Sequence, residues 1–170
     1  MTPGPQDPPP YSGPPGVPCA FTGRLVHVPS HGAGTEGLLV RISPPTTPRY
    51  PEGAPIAVHM LAAAPNVTGS IACLSEQGFI DVGFLCPGEE YRASDGTVAR
   101  SGGQPSRGQV DWERCIEPLA DVLAFATGNS RSLEGKTLRE YAPTVSPPTD
   151  NVGVIGWSFG GNLAVHAMAR

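Results

Sequence analysis

Charge is scarce in this chain. Asp, Glu, Lys and Arg make up 15% of its 170 residues, and the formal net charge is −4. Nucleic-acid binding through phosphates needs a basic patch or stripe, so that class of partner is excluded. Lysine is almost missing, with Lys136 set against ten arginines, which reads as compositional bias rather than a functional device. Long apolar runs are missing as well. None approaches the roughly 18 residues of a membrane span, so no membrane-crossing segment is expected. The four cysteines, Cys19, Cys73, Cys86 and Cys115, lack metal-ligand spacing and read as buried or free thiols. Met1 to Pro18 lacks the basic-then-apolar pattern of a signal peptide.

What is present is enough for one domain with a real core. Residues 1–18 hold eight prolines and too little apolar surface to order themselves, so they read as a disordered Pro/Gly-rich tail. Residues 19–170 read as the folded part. Arg24 to Pro29 and Glu36 to Ile42 form two strands joined by a turn over His31 to Thr35. The continuously apolar Ile56 to Leu61 has the character of a buried parallel strand. Asn66 is placed to cap a helix running to about Gln77, with Gly78 ending it. Phe79 to Leu85 is a further strand, and Cys86 to Val110 reads as a long polar loop of the kind that borders sites. Asp111 opens a helix whose Trp112, Cys115, Ile116, Leu119, Leu123 and Ala126 keep helical spacing, with a kink or restart at Pro118. Residues 130–150 read as loop with one short turn. Strands alternating with helices argue for an α/β fold built from βαβ units.

The chemistry concentrates near the end of the sequence. Val152-Gly153-Val154-Ile155 is an apolar strand, Gly156-Trp157-Ser158-Phe159-Gly160-Gly161 a sharp turn, and Asn162 to Ala169 a small-residue helix. Gly156 and Gly160 let strand and helix approach closely while Ser158 takes a strained backbone, the context of a nucleophile elbow. On these residues 24–170 resemble the first half of an α/β-hydrolase. The elbow is especially similar to those of prolyl-oligopeptidase-like peptidases, dienelactone-hydrolase-like esterases and some thioesterase domains.

That resemblance implies a partial α/β-hydrolase fold, with a mostly parallel sheet and flanking helices behind the N-terminal hairpin. It implies a serine hydrolase acting on an ester, thioester or peptide, with no metal or organic cofactor. Ser158 would be the nucleophile. The backbone N–H of Phe159 would be one oxyanion donor, and one near Leu61 to Ala63, represented by Ala62, the other. Relatives often carry His-Gly-Gly there, where this chain has His59-Met60-Leu61-Ala62-Ala63-Ala64. In the family the acid and the histidine follow later strands, but 12 residues follow Ser158 and none matches either position. The sequence is therefore expected to be the N-terminal part of such a domain and inactive alone.

The histidines and acids present support that expectation. His166 lies eight residues beyond Ser158, about 12 Å along one helix, too far for a general base. His27 and His31 belong to the hairpin at the far edge of the sheet. His59 is the histidine nearest the elbow, and a structural hydrogen bond is its expected role. Asp150 falls at the opposite end of the elbow strand, Asp111 reads as a helix cap and Asp121 as a solvated face. Glu89, Glu90 and Asp95 read as solvated loop carboxylates, with contact to a substrate amine as the other reading. A non-catalytic binding or assembly protein that keeps a hydrolase elbow is the competing class, and a thioesterase or acyltransferase branch is the competing enzyme.

Overall fold

The computed structural model describes residues 23–45, 47, 49–60, 74–92, 96–104, 113–143, 150–156 and 163–165. Strand β1 (Arg24–Val28) leads through a short 3-10 helix (His31–Glu36) into β2 (Leu38–Ser43). Strands β3 (Ile56–Met60) and β4 (Ile80–Phe84) follow, then the small pair β5 (Glu90–Arg92) and β6 (Val98–Arg100), helix α1 (Glu113–Ala126), helix α2 (Leu138–Tyr141) and β7 (Val152–Ile155). One sheet has five strands in the order β1-β2-β4-β3-β7. Its β1 and β2 run antiparallel, as do β2 and β4, whereas β3 is parallel to both β4 and β7. The result is the α/β class that the strand–helix alternation implies, with flanking helices on a mixed sheet whose parallel part is β4-β3-β7.

Strand periodicity sorts the side chains onto two faces. Val26, Val28, Val40, Ile42, Val58, Val82 and Phe84 line one face and are almost fully buried. Against them packs α1, through Cys115, Ile116, Leu119, Val122 and Phe125 in the same core cluster. Each large apolar side chain removed from water here contributes about 1.5–3 kcal/mol, which orders a helix of 14 residues despite Pro118 inside it. The helix is one element through Pro118, because packing of its apolar stripe outweighs the missing hydrogen bond.

On the other face Leu39, Leu85 and Tyr91 form a second, smaller cluster, with Leu25 and Ala99 packed against it. Tyr91 and Ala99 come from β5 and β6, so the segment read as a plain loop over 86–110 in fact contains a hairpin. Sequence reading missed it because each strand has three residues, too few for a periodicity. Ser101, fully buried, pins the hairpin to the sheet. Its Oγ accepts from Leu39 N at 2.8 Å and donates to the Leu85 carbonyl at 2.9 Å.

A second correction concerns two of the thiols. Cys86, just after β4, and Cys115, on α1, are joined in a disulfide. Their spacing of 29 residues carries no metal or disulfide signature, and only the packing of α1 against the sheet brings them together. Cys19, Cys73, Asn66, Asp111 and Trp112 lie outside the described residues, as does the proline-rich tail. The described end of the helix expected to run to about Gln77 is instead a turn over residues 74–78, and Gly78, expected to end that helix, does take a positive φ, 91°. The turn over His31 to Thr35 is tightened into the 3-10 helix. The short turn foreseen in 130–150 is α2, opened by a capping box in which Thr137 and Glu140 satisfy each other's backbone N–H groups.

Candidate active site

The parallel register decides where the candidate site forms. In β3 and β7, Ile56 pairs with Val152 and His59 with Ile155, so the two strands end side by side. Met60 and Ile155 therefore close neighbouring strands at the same end of the sheet, and two sequence segments of interest, 61–63 and 156–161, follow them. Those are the segments assigned to the second oxyanion donor and to the nucleophile. Gly156 follows β7 directly and is exposed, and residues 163–165 are helical, with Leu163 buried in the α1-face core. A strand thus precedes residues 157–162 and a helical segment follows them. Ser158, Phe159, Gly160 and Ala62 themselves lie outside the described residues.

Behind this end of the sheet the face opposite α1 carries charge. Asp81 on β4, Arg41 on β2 and His59 on β3 are all at most 2% exposed. Arg41 Nη2 donates to Asp81 Oδ2 at 3.2 Å, and His59 Nε2 lies 2.6 Å from Asp81 Oδ1. An ionised carboxylate only accepts, so Nε2 is the donor in the second bond. His59 Nδ1 has no hydrogen-bond partner. The structural hydrogen bond expected of His59 is therefore present, whereas Arg41 and Asp81 were not singled out. The available signal was a charged residue inside each of two apolar runs, Leu38 to Ile42 and Ile80 to Phe84. A charge so placed is buried and must be paired.

The other candidates sit elsewhere. His27, half-buried on β1, reaches the Arg100 carbonyl at 3.1 Å. Strand β1 and β7 are opposite edges of the described sheet, four strand spacings or about 19 Å apart. His31 is exposed in the 3-10 helix, and Asp150 is exposed before β7. Glu90 is exposed and pairs with Arg92 at 3.0 Å. Glu89 departs from the solvated reading: it is half-buried, burial pushes its carboxyl above the ordinary carboxylate value, and a backbone hydrogen bond at Cys86 opposes this in part. Asp121 is likewise half-buried rather than on an open surface. Asp95 and His166 lie outside the described residues. Among the described residues no group of three His, Cys, Asp or Glu side chains could hold a metal. No described helix is long and apolar enough to cross a membrane.

No family model matches the chain, and no curated protein matches it. Solved structures do. A hypothetical protein from Pseudomonas aeruginosa superposes with a TM-score of 0.50 at 20% identity, over 86% of this chain and 38% of that one. An α/β serine hydrolase without lid from Xanthomonas campestris superposes with a TM-score of 0.45 at 18% identity, over 90% of this chain and 58% of its own. The first likeness shows a shared fold. The chain spans less than two-thirds of the length of either structure.

Proposed function

We propose that this chain carries the nucleophile-bearing part of a serine hydrolase that cleaves an ester, thioester or peptide bond. The observation that supports it most is the register of β7 on β3. It ends β3 and β7 side by side, which suits a reaction that needs its nucleophile and oxyanion donors close together.

In this reading Ser158 Oγ attacks the carbonyl carbon and gives its proton to a general base, while the N–H groups of Phe159 and Ala62 hold the oxyanion. The tetrahedral intermediate collapses with loss of the alcohol, thiol or amine, leaving an acyl-serine. Water activated by the same base then releases the acid. His27 and His31 are at the wrong edge for that base, and His59 is committed to Asp81. By resemblance, the base and its acid would follow later strands of such a fold.

The test is turnover of p-nitrophenyl esters by the full-length natural protein, beside a Ser158→Ala variant. Reactivity of the serine is read as phosphonylation, a mass increase on the peptide containing Ser158 after a fluorophosphonate loses fluoride to it. Loss of both signals in Ser158→Ala is the expected result. Turnover that survives the substitution would remove Ser158 as nucleophile, and a folded protein with neither signal would favour the binding-protein class.

A further inference from the structure

The buried Arg41–Asp81–His59 group needs an explanation that the proposed reaction does not supply. Strands β2 and β3 flank β4, and both Arg41 and His59 stand in register with Gly83. Asp81 lies two residues before Gly83, so it projects from the same face. Gly83 has no side chain, and from either side of it a guanidinium and an imidazole reach the one carboxylate of Asp81. Burying such groups costs a great deal of solvation, and apolar residues of similar volume usually serve stability as well or better. A polar group kept there is better explained by the geometry it imposes.

That geometry concerns the end of β3. His59 is the next-to-last residue of the strand and pairs with Ile155, the last of β7. Its imidazole is tied at 2.6 Å to Asp81, which Arg41 holds in turn at 3.2 Å. We infer that Arg41, Asp81 and His59 are positioning residues: they clamp the C-terminal end of β3 and so place the backbone N–H groups that follow it. This rests on the proposed serine chemistry, in which the N–H of Ala62, three residues on, is an oxyanion donor. A donor displaced by about 1 Å can cost a hundredfold in rate, which is why the strand end needs fixing.

The experiment compares three variants of the full-length protein with the wild type. His59→Leu removes the donor to Asp81, and His59→Gln places an amide nitrogen near the position of Nε2. Ser158→Ala is the control for the chemistry. In His59→Leu, kcat should fall about 10- to 100-fold while KM stays within about twofold, and His59→Gln should recover most of the loss. Independently of turnover, amide exchange at Val58 to Met60 should quicken about tenfold or more in His59→Leu, with β1 and α1 unaffected. If His59→Leu does not fold, Asp81→Asn carries the same expectations.

Unchanged exchange at Val58 to Met60 overturns the clamp. So does a His59→Gln protein as inactive as His59→Leu, because the imidazole, with its unpartnered Nδ1, would then be acting as a chemical group. A Ser158→Ala protein as active as wild type refutes the serine chemistry instead, and the exchange data alone then decide the clamp.

Discussion

Across two parallel strands, Asp81 accepts a hydrogen bond of 2.6 Å from His59 Nε2, with both side chains sealed from solvent. Arg41 approaches the other carboxylate oxygen of Asp81 from the antiparallel side, at 3.2 Å. One carboxylate therefore joins three adjacent strands of the sheet by side chains as well as backbone.

Replacing Asp81 by alanine should destabilise the fold by about 3–5 kcal/mol, because a buried guanidinium loses its carboxylate. Combining Arg41→Met with Asp81→Leu should cost far less, since the charge and its counter-charge leave together. Urea denaturation followed by circular dichroism measures both. A double variant no more stable than Asp81→Ala would show that the charge pair is not the source of the loss.

Ser158→Ala should lower ester turnover by about 10⁴- to 10⁶-fold if Ser158 is the nucleophile, as loss of a triad member does. Stability should barely move, so thermal unfolding of the two proteins should coincide. A large drop in Tm without loss of turnover would reverse the roles assigned to this residue.

The disulfide between Cys86 and Cys115 ties α1 to the end of β4 across a separation of 29 residues. Closing a loop of that size in the unfolded chain is worth about 3–4 kcal/mol. Reduction with dithiothreitol should therefore lower Tm, and mass spectrometry of alkylated protein should find these two cysteines blocked until reduction. Two freely alkylated thiols in the native protein would refute the bond.

Glu89 should make stability depend on pH in the sense opposite to an ion-paired carboxylate. Burial raises its folded-state value above the ordinary 4.5, so the folded protein holds the proton more tightly than the unfolded chain. The stabilisation linked to that proton is complete below pH 4.5 and is lost as pH rises through the folded value. Glu89→Gln should therefore be more stable than wild type at neutral pH, with the gain vanishing in acid. Equal stability of the two proteins across that range would show that Glu89 is solvated after all.

How much was legible follows from how local each signal is. The strands around Val26, Val40, Val58 and Val82, and the strand Val152–Ile155, announce themselves through composition and period. The β5–β6 hairpin was not legible, because Tyr91 and Ala99 acquire their meaning from Leu39 and Leu85, which lie elsewhere in the chain. Glu89 reads in the sequence like any loop carboxylate, and its half-burial comes only with the fold.

By itself the sequence determined the α/β class and the apolar face that receives α1. These depend on neighbours a few residues apart, where steric preference and hydrophobic period act directly. Tertiary structure alone decided that Cys86 meets Cys115, that the end of β3 lies beside the end of β7, and that Arg41 and His59 converge on Asp81. Those relationships arise from strand order and register. Register is chosen by how whole faces of the sheet are buried rather than by any residue's near neighbours in the chain.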